Sequence, residues 1–560
     1  MSSAGKRLFI VFIICWVAAD LLQALLMEVH SDEAYYFLYG QYPALGYYDH
    51  PPMVGWMTAL GSMLCGASNL GIRLFTVLAH AITIVIIWNI AGLKNPDGRQ
   101  VKLFFIVAAS CIMFQVYGFM TTPDPWLLLF TALFLYAYKR FLERETWSNT
   151  LLLAMAMAGM LYSKYHGVLV ILITVVSNPR LTLRPKAWAA VLLTAVLMLP
   201  HLWWQIANDF PAVRYHLSAR STGFSFGDML GYLPVQLAVF NPVTIYAFIL
   251  ILTGARRSRD QFEKTCRYLV VGFIAFFFLM TLKGHVEPQW TVAASVPLIS
   301  VVFSRSLDST RLQSLAWKWI LPTIGLTVIA RILLITPLLP QSLGFHGKKA
   351  QYDALAGKTG TDTPVVFCSS FQNPSLFRFF TGGQATALSS VTTRTTQFDI
   401  WRWEEQWTGQ PVWMVNREMD RIEKINSFQS ANRLKIEYAI TAVPKDWPLI
   451  SPGDSISLDF TISNPNPYAV DLLHPELPLE LKAAFTEHKR VAIRSGVCTM
   501  SSTALPPADA ESPSKITGTF TFTVPDMELR KNVKLGLVLD NGMCAPLLSP
   551  QTKAIYHDNR

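Results

Sequence analysis

The sequence predicts a polytopic α-helical membrane protein with a polar, mixed C-terminal tail. Of 560 residues, 52% are hydrophobic and only 15% charged, against roughly 25% charged in ordinary soluble domains. Apolar stretches near or above the ~20 residues needed to cross a bilayer recur from residue 8 to about residue 338 and then stop. Three regions follow: a membrane domain over 1–340, a small α/β domain over 341–430 and a β-sandwich over 431–560.

Spans are expected at 8–27, 71–92, 103–120, 125–140, 149–162, 166–177, 187–205, 229–253, 268–283, 290–304 and 318–338, which makes about eleven crossings. The first follows Lys6 and Arg7. It is too long for a signal-peptide core and has no small-x-small cleavage site before Glu28, so it is retained as a span.

The net charge of +10 does not mark a nucleic-acid binder, because the basic residues sit in short connections between apolar segments. With Lys6 and Arg7 inside, the same side collects Lys94, Arg99 and Lys102; Lys139, Arg140 and Arg144; Arg180, Arg184 and Lys186. It then gains Arg256, Arg257, Arg259, Lys264, Arg267, Arg305, Arg311 and Lys318. The opposite side holds only Arg73, Lys164, Arg214, Arg220 and Lys283. This asymmetry predicts a cytoplasmic N-terminus and an extracytoplasmic tail. The alternation holds only if 149–177 is two short helices broken at Ser163-Lys164-Tyr165-His166-Gly167. Non-helical backbone at membrane depth needs a protein or aqueous cover, so Lys164 is expected to face a cavity.

The first outer loop carries the adjacent acids Asp32 and Glu33, followed by Tyr35, Tyr36, Phe37, Leu38 and Tyr39, and then Asp49-His50-Pro51-Pro52. The aromatic run predicts a short interfacial helix. Asp32, beside Ser31, also suits a helix cap, but capping leaves Glu33, Asp49 and His50 unexplained. Thr121-Thr122-Pro123-Asp124-Pro125 forms the second outer turn, where Asp124 is either an N-cap or a functional acid at the membrane edge. Lys164, Arg220 and Lys283 on the same side are candidates to hold a phosphate. Asp49, His50, His285 and Glu287 are candidates for a divalent-metal or acceptor site, at a spacing that is not specific. No Walker-type phosphate loop, dinucleotide-binding glycine motif or His-Glu-x-x-His is present, so no nucleotide cofactor is expected. An outward-facing enzyme without nucleotide needs an activated substrate delivered through the membrane, and a polyprenyl-phosphate conjugate fits.

These residues resemble a known family. Asp32-Glu33-Ala34-Tyr35-Tyr36, His50-Pro51-Pro52, Thr122-Pro123-Asp124-Pro125 and Lys164-Tyr165-His166-Gly167 are similar to motifs of bacterial glycosyltransferases related to protein O-mannosyltransferases and lipid A aminoarabinose transferases. The resemblance covers about residues 1–340 and implies the GT-C membrane fold. It implies transfer of a hexose or pentose from a polyprenyl phosphate to a lipid, glycan or protein acceptor at the outer face of the inner membrane. Asp32 would be the general base, Asp124 the second acid and Glu33 an adjoining catalytic group, with inversion at the sugar. Aminoarabinose-type members often place an acid and a lysine before the Pro-Pro pair; Asp49 and His50 stand here, so that sugar is not carried over. The rival reading is a lipid or glycan transporter, which predicts inverted repeats that the sequence lacks.

In the tail, residues 363–415 alternate strand-like and aromatic segments, including Trp401, Trp403 and Trp407, which suit either a core or a sugar platform. From about residue 432, short alternating strands with Asn-Pro turns predict an immunoglobulin-like sandwich. The seven cysteines show no metal spacing, and Cys498 and Cys544 are candidates for a disulfide.

Overall fold

The computed structural model describes residues 3–214, 224–254, 257–340, 345–388, 395–445, 448–487, 490–509, 512–526, 533–544, 547–548 and 552–556. They form two compact units, Met1–Lys349 and Ala350–Arg560.

The first unit is helical: α1 (Ser3–Leu26), α2 (Ser31–Gln41), α3 (Met53–Cys65), α4 (Asn69–Ala91), α5 (Gly98–Ser110), α6 (Ile112–Val116), α7 (Pro123–Glu143), α8 (Trp147–Ser163), α9 (Gly167–Ser177), α10 (Pro185–Ala207), α11 (Pro211–Arg214), α12 (Phe226–Phe240), α13 (Pro242–Gly254), α14 (Gln261–Met280), α15 (Ser295–Ser306), α16 (Thr310–Leu315) and α17 (Leu321–Ile335). Helical segments lie within the expected spans, but 103–120 is broken at Cys111 between α5 and α6, and 290–304 opens with the 3-10 turn Pro288–Ala294. Among the described residues four helices are long and apolar enough to cross a membrane by themselves, at Ala4–Leu26, Asn69–Ala91, Pro185–Ala207 and Thr310–Ile335. The expected span 229–253 is instead two helices that meet at 99°. Pro242 at the head of α13 has no N–H for a continuing helix, and Asn241 before it takes a left-handed φ of 75°.

The core of this unit gathers Phe104, Leu128, Leu135, Met160, Phe273 and Ile299 from α5, α7, α8, α14 and α15. Other faces remain apolar but uncovered. Helix α17 buries none of its residues, and α10 exposes Leu192, Leu199 and Trp203. Such surfaces suit lipid rather than water. Helix α3 falls between the expected spans 8–27 and 71–92; its 13 residues are apolar but too few to span. It packs on α4 through glycine, since a Cβ on Gly61 would strike the Gly71 carbonyl.

The second unit begins with α18 (Lys348–Thr359), which overlaps the boundary. A four-stranded sheet follows in the order β2-β1-β3-β4, from β1 (Val365–Phe367), β2 (Ala385–Ala387), β3 (Val412–Val415) and β4 (Ile422–Ile425). Strand β1 pairs in parallel with both β2 and β3, as crossover helices require, and α19 (Gln372–Thr381) supplies one of them. Helix α20 (Gln397–Trp401) lies in the second crossover. Trp403 and Trp407 are buried, and Trp401 stacks on Trp403 at 4.4 Å while the Arg378 guanidinium lies 4.2 Å from the Trp403 ring centre. These rings therefore pack against protein.

Mainly antiparallel sheets fill the rest, with short strands β6 (Leu449–Ile450), β8 (Val470–Asp471), β10 (Arg490–Arg494) and β12 (Ala504–Leu505), of which β6 pairs in parallel with the segment Thr552–Tyr556. One sheet has the order β11-β13-β7-β5, from β5 (Lys435–Ala442), β7 (Ser455–Asn464), β11 (Val497–Met500) and β13 (Ser514–Thr523). The other centres on β9 (Glu480–Glu487) and β14 (Val533–Asp540). Leu458 and Phe460 of β7 share one core with Phe485 of β9 and Leu537 of β14. The cysteine expectation is corrected: Cys544 is bonded to Cys368, 176 residues away, and Cys498 is a free thiol. Cys498 lies on β11, in the other sheet from β14, the strand that Cys544 follows, whereas Cys368 directly follows β1.

Candidate active site

Helix α2 begins with a cap, but not the expected one. His30 is the capping residue: its Nδ1 accepts from the Asp32 N–H at 3.3 Å, and Glu33 closes the box by accepting from the His30 N–H at 3.1 Å. The Asp32 carboxylate is thus not the cap. Its side chain is 42% exposed, with the His30 ring 3.9 Å away.

Glu33 has the opposite setting. It is fully buried and held by Arg73 of α4 through a two-pronged ion pair, with Nε donating to Oε1 at 2.7 Å. The same carboxylate accepts from the Thr121 N–H at 2.9 Å. Arg73 is itself fully buried and also donates to the carbonyls of Ala24, Met27 and Glu28. Glu33 therefore ties the first loop to α1, α4 and the second loop. It fixes these loops to one another, whereas the Asp32 side chain stays partly exposed.

At the second loop Thr122 caps α7, its hydroxyl accepting from the Asp124 N–H at 3.2 Å. Asp124 is buried and meets Lys164 at 2.7 Å. Lys164 follows α8 at the helix break and is also buried, so the break expected from charge alternation delivers its ammonium to an acid. Only one of its three N–H donors has a partner among the described residues.

Two tyrosines show how the acids converge. Burial, then the charges of Asp32, Asp49 and Asp124, push the Tyr36 phenol well above its usual range. It stays an O–H donor. Tyr117 lies in the field of Asp124, Asp32 and Glu287 together. Asp49 is buried and accepts from Tyr39 at 2.6 Å, and burial and Asp49 likewise raise the Tyr39 phenol. His50 packs its ring edge-on to Tyr36.

Asp32, Asp49, Asp124, Lys164 and Glu287 are thus neighbours or share a tyrosine. Lys283 is exposed, with no carboxylate within ion-pair distance among the described residues. His285 is exposed and points Nδ1 at Asp228 of α12, 3.3 Å away. Among the described residues no three His, Cys, Asp or Glu side chains form a metal-binding group. Arg220 lies outside the described residues.

Residues 49–204 match the family model described as dolichyl-phosphate-mannose-protein mannosyltransferase. The lipid A galacturonosyltransferase RgtD of Rhizobium johnstonii is 26% identical over 281 residues, 47% of this chain and 58% of the relative. The lipopolysaccharide core galacturonosyltransferase RgtA of the same organism is 26% identical over 286 residues, 47% of this chain and 57% of the relative. The chain spans little more than half the length of these relatives. ArnT from Cupriavidus metallidurans superimposes with a TM-score of 0.57 at 12% identity in its apo state, over 74% of this chain and 93% of that one. Bound to undecaprenyl phosphate, it does so with 0.57 at 14%, over 75% and 94%. The chain therefore shares the GT-C fold of ArnT.

Sequence reasoning missed several polar residues inside this GT-C unit. Asp20 of α1 pairs with His80 of α4 at 2.8 Å and with Arg331 of α17, which also donates to Gln115 at 3.2 Å. A Cβ on Gly118 would strike both His80 and Asp20, so the triad packs against the backbone next to Tyr117. His201 of α10 bridges Leu45 O at 2.7 Å and the Tyr165 hydroxyl at 3.1 Å, joining the first loop to the GT-C helix break. The available signal was ionisable residues within apolar spans, which default to functional or packing roles.

Proposed function

We propose that this chain transfers a monosaccharide from a polyprenyl phosphate to a glycolipid acceptor at the outer face of the inner membrane. In this reading the N-terminus is cytoplasmic, and Asp32, Asp124 and the second unit are extracytoplasmic. The observation that carries it is that the half-exposed Asp32 carboxylate and Asp124, itself paired with the buried Lys164, act on the same two tyrosines, Tyr36 and Tyr117, from loops locked together by Glu33 and Arg73. Both curated relatives are named for lipid A or lipopolysaccharide core acceptors, which favours a glycolipid over a protein or another glycan. A hexosyl donor, first a galacturonosyl one, is preferred to a pentosyl one on the same ground.

Asp32 takes the proton from the acceptor hydroxyl as that oxygen attacks the anomeric carbon. The carbon–oxygen bond to the lipid phosphate breaks, the new glycosidic bond forms with inversion, and the phosphate leaves with the bonding pair. The unpaired N–H donors of Lys164 meet the charge that develops on that phosphate, with Arg220 and Lys283 as further candidates. Asp124 fixes the ammonium and positions the sugar. No step here requires a metal.

The test is transfer of labelled sugar from purified polyprenyl-phosphate donors in membranes containing wild type or Asp32→Asn. Wild type should transfer and Asp32→Asn should not. Undiminished transfer by the variant would remove Asp32 as the base, and no transfer from any donor would favour a transporter.

A further inference from the structure

At the ends of α7 and α9 remote from Asp124 and Lys164, a cavity of 440 Å³ is lined by Leu142, Asn178, Arg180, Arg184, Gln261 and Lys264, among others. Asp124 and Leu142 lie near opposite ends of α7, so about 27 Å of helix at 1.5 Å per residue separates this cavity from the candidate active site. It is an independent site.

The cations are not neutralised by the surrounding acids. Glu145 is held by Arg184 at 2.7 Å. Glu263 accepts from Arg267 and Arg305, and Asp260 caps α14 by accepting from the Glu263 N–H at 2.7 Å. Glu143 is exposed and does not line the cavity. Among the described residues neither Arg180 nor Lys264 has a carboxylate partner; the Lys264 ammonium lies 5.5 Å from the Tyr268 ring centre. The cavity keeps a net excess of two positive charges.

Its depth is marked by its neighbours. The 3-10 turn Pro179–Leu183, which forms part of the wall, projects Leu183 at 81% exposure, and Trp147 and Trp188 are exposed on the adjoining helix starts. Trp188 anchors its indole N–H on Thr182 O, and Lys186 lies over the Trp147 ring. Exposed tryptophans beside cations at helix ends mark the headgroup layer. A floor of buried Asn178 held by Tyr138 at 3.0 Å, and Gln261 held on Ser177 O at 3.0 Å, gives the cavity a fixed polar base.

We propose that this cavity is a binding site for a phosphate group presented by an anionic lipid headgroup, in the leaflet on the Lys/Arg-rich face. Its volume lies in the range of small-molecule sites. Arg180 and Lys264 supply charge to the phosphate, and Leu183 with Trp188 accommodates the start of the acyl chains.

The test is native mass spectrometry of the delipidated full-length protein in detergent, titrated separately with phosphatidylglycerol, phosphatidylcholine and inorganic phosphate. Phosphatidylglycerol should be retained over phosphatidylcholine by about tenfold, and Arg180→Gln with Lys264→Gln should bring that ratio to about one. Arg180→Lys should keep most of the preference, and all variants should unfold at the wild-type temperature when lipid-free, which separates lost binding from lost fold. Equal retention of the two lipids, or an unchanged preference in the double glutamine variant, would overturn the proposal. Saturation by inorganic phosphate without selective lipid retention would assign the phosphate chemistry to a soluble ion and remove the lipid as occupant.

Discussion

Replacing Arg73 with methionine separates the two adjacent acids of the first loop. The substitution keeps an unbranched apolar chain but leaves the Glu33 carboxylate fully buried without its cation. Breaking a buried pair from one side costs about 3–5 kcal/mol, because the remaining charge is desolvated and uncompensated. Three carbonyls, of Ala24, Met27 and Glu28, also lose a donor, which places the cost at the upper part of that range. At about 2 °C per kcal/mol for a large unit, the unfolding midpoint should fall by about 8–10 °C. Glu33→Gln with Arg73→Met removes both charges and should recover more than half of the loss. Asp32→Asn, at a half-exposed side chain, should leave the midpoint within about 1 °C while removing transfer. The assay is thermal unfolding of purified protein in one detergent, followed by chromatographic monodispersity, beside the transfer assay. A wild-type midpoint in Arg73→Met, or a midpoint loss in Asp32→Asn as large as in Arg73→Met, would refute the division of labour between the two acids.

Lys164→Met should reduce transfer by about 100- to 1000-fold, with donor binding weakened less, if its free N–H donors meet the leaving phosphate; rates at saturating donor check this. Cys368→Ser should destabilise the second unit by about 3–5 kcal/mol through the long loop it opens, whereas Cys498→Ser should change stability little; denaturant titration and non-reducing peptide mapping read both. Burial raises the Glu404 carboxyl above its usual value, so the folded state holds that proton more tightly than the unfolded state. The sign follows: stability of the second unit should fall as pH rises from about the ordinary glutamate value of 4.5 towards the raised one, and Glu404→Gln should flatten that slope and stabilise at neutral pH, by equilibrium unfolding across pH.

Long apolar helices were legible because hydropathy needs only local composition. That is why α1, α4 and α10 lie within a few residues of their expected spans. The break at Lys164 was legible for a different reason: the charge alternation fails without it. Helix α3 was not, since 13 apolar residues after a Pro-Pro pair satisfy neither a span nor a soluble amphipathic pattern. Asp32 and Asp124 announced themselves as acids at the membrane edge, but the residues that cap their helices, His30 and Thr122, depend on backbone geometry at the first turn. The partnerships of Asp20 with Arg331 and of Cys368 with Cys544 join residues 311 and 176 positions apart, a distance at which local pattern carries no information.

The Glu33 carboxylate touches Arg73 and Thr121 as well as its own helix cap. In a chimera, this makes the first loop poor cargo. Exchanging residues 28–50 for those of a relative with a different acid placement would strand the guanidinium of α4 and unhook the turn before α7, even if every donor and acceptor contact were copied faithfully. Positions 33, 73 and 121 should therefore move between proteins as one inherited block, and searches for altered sugar preference have more freedom at 49 and 50 than at the conspicuous pair where the loop begins.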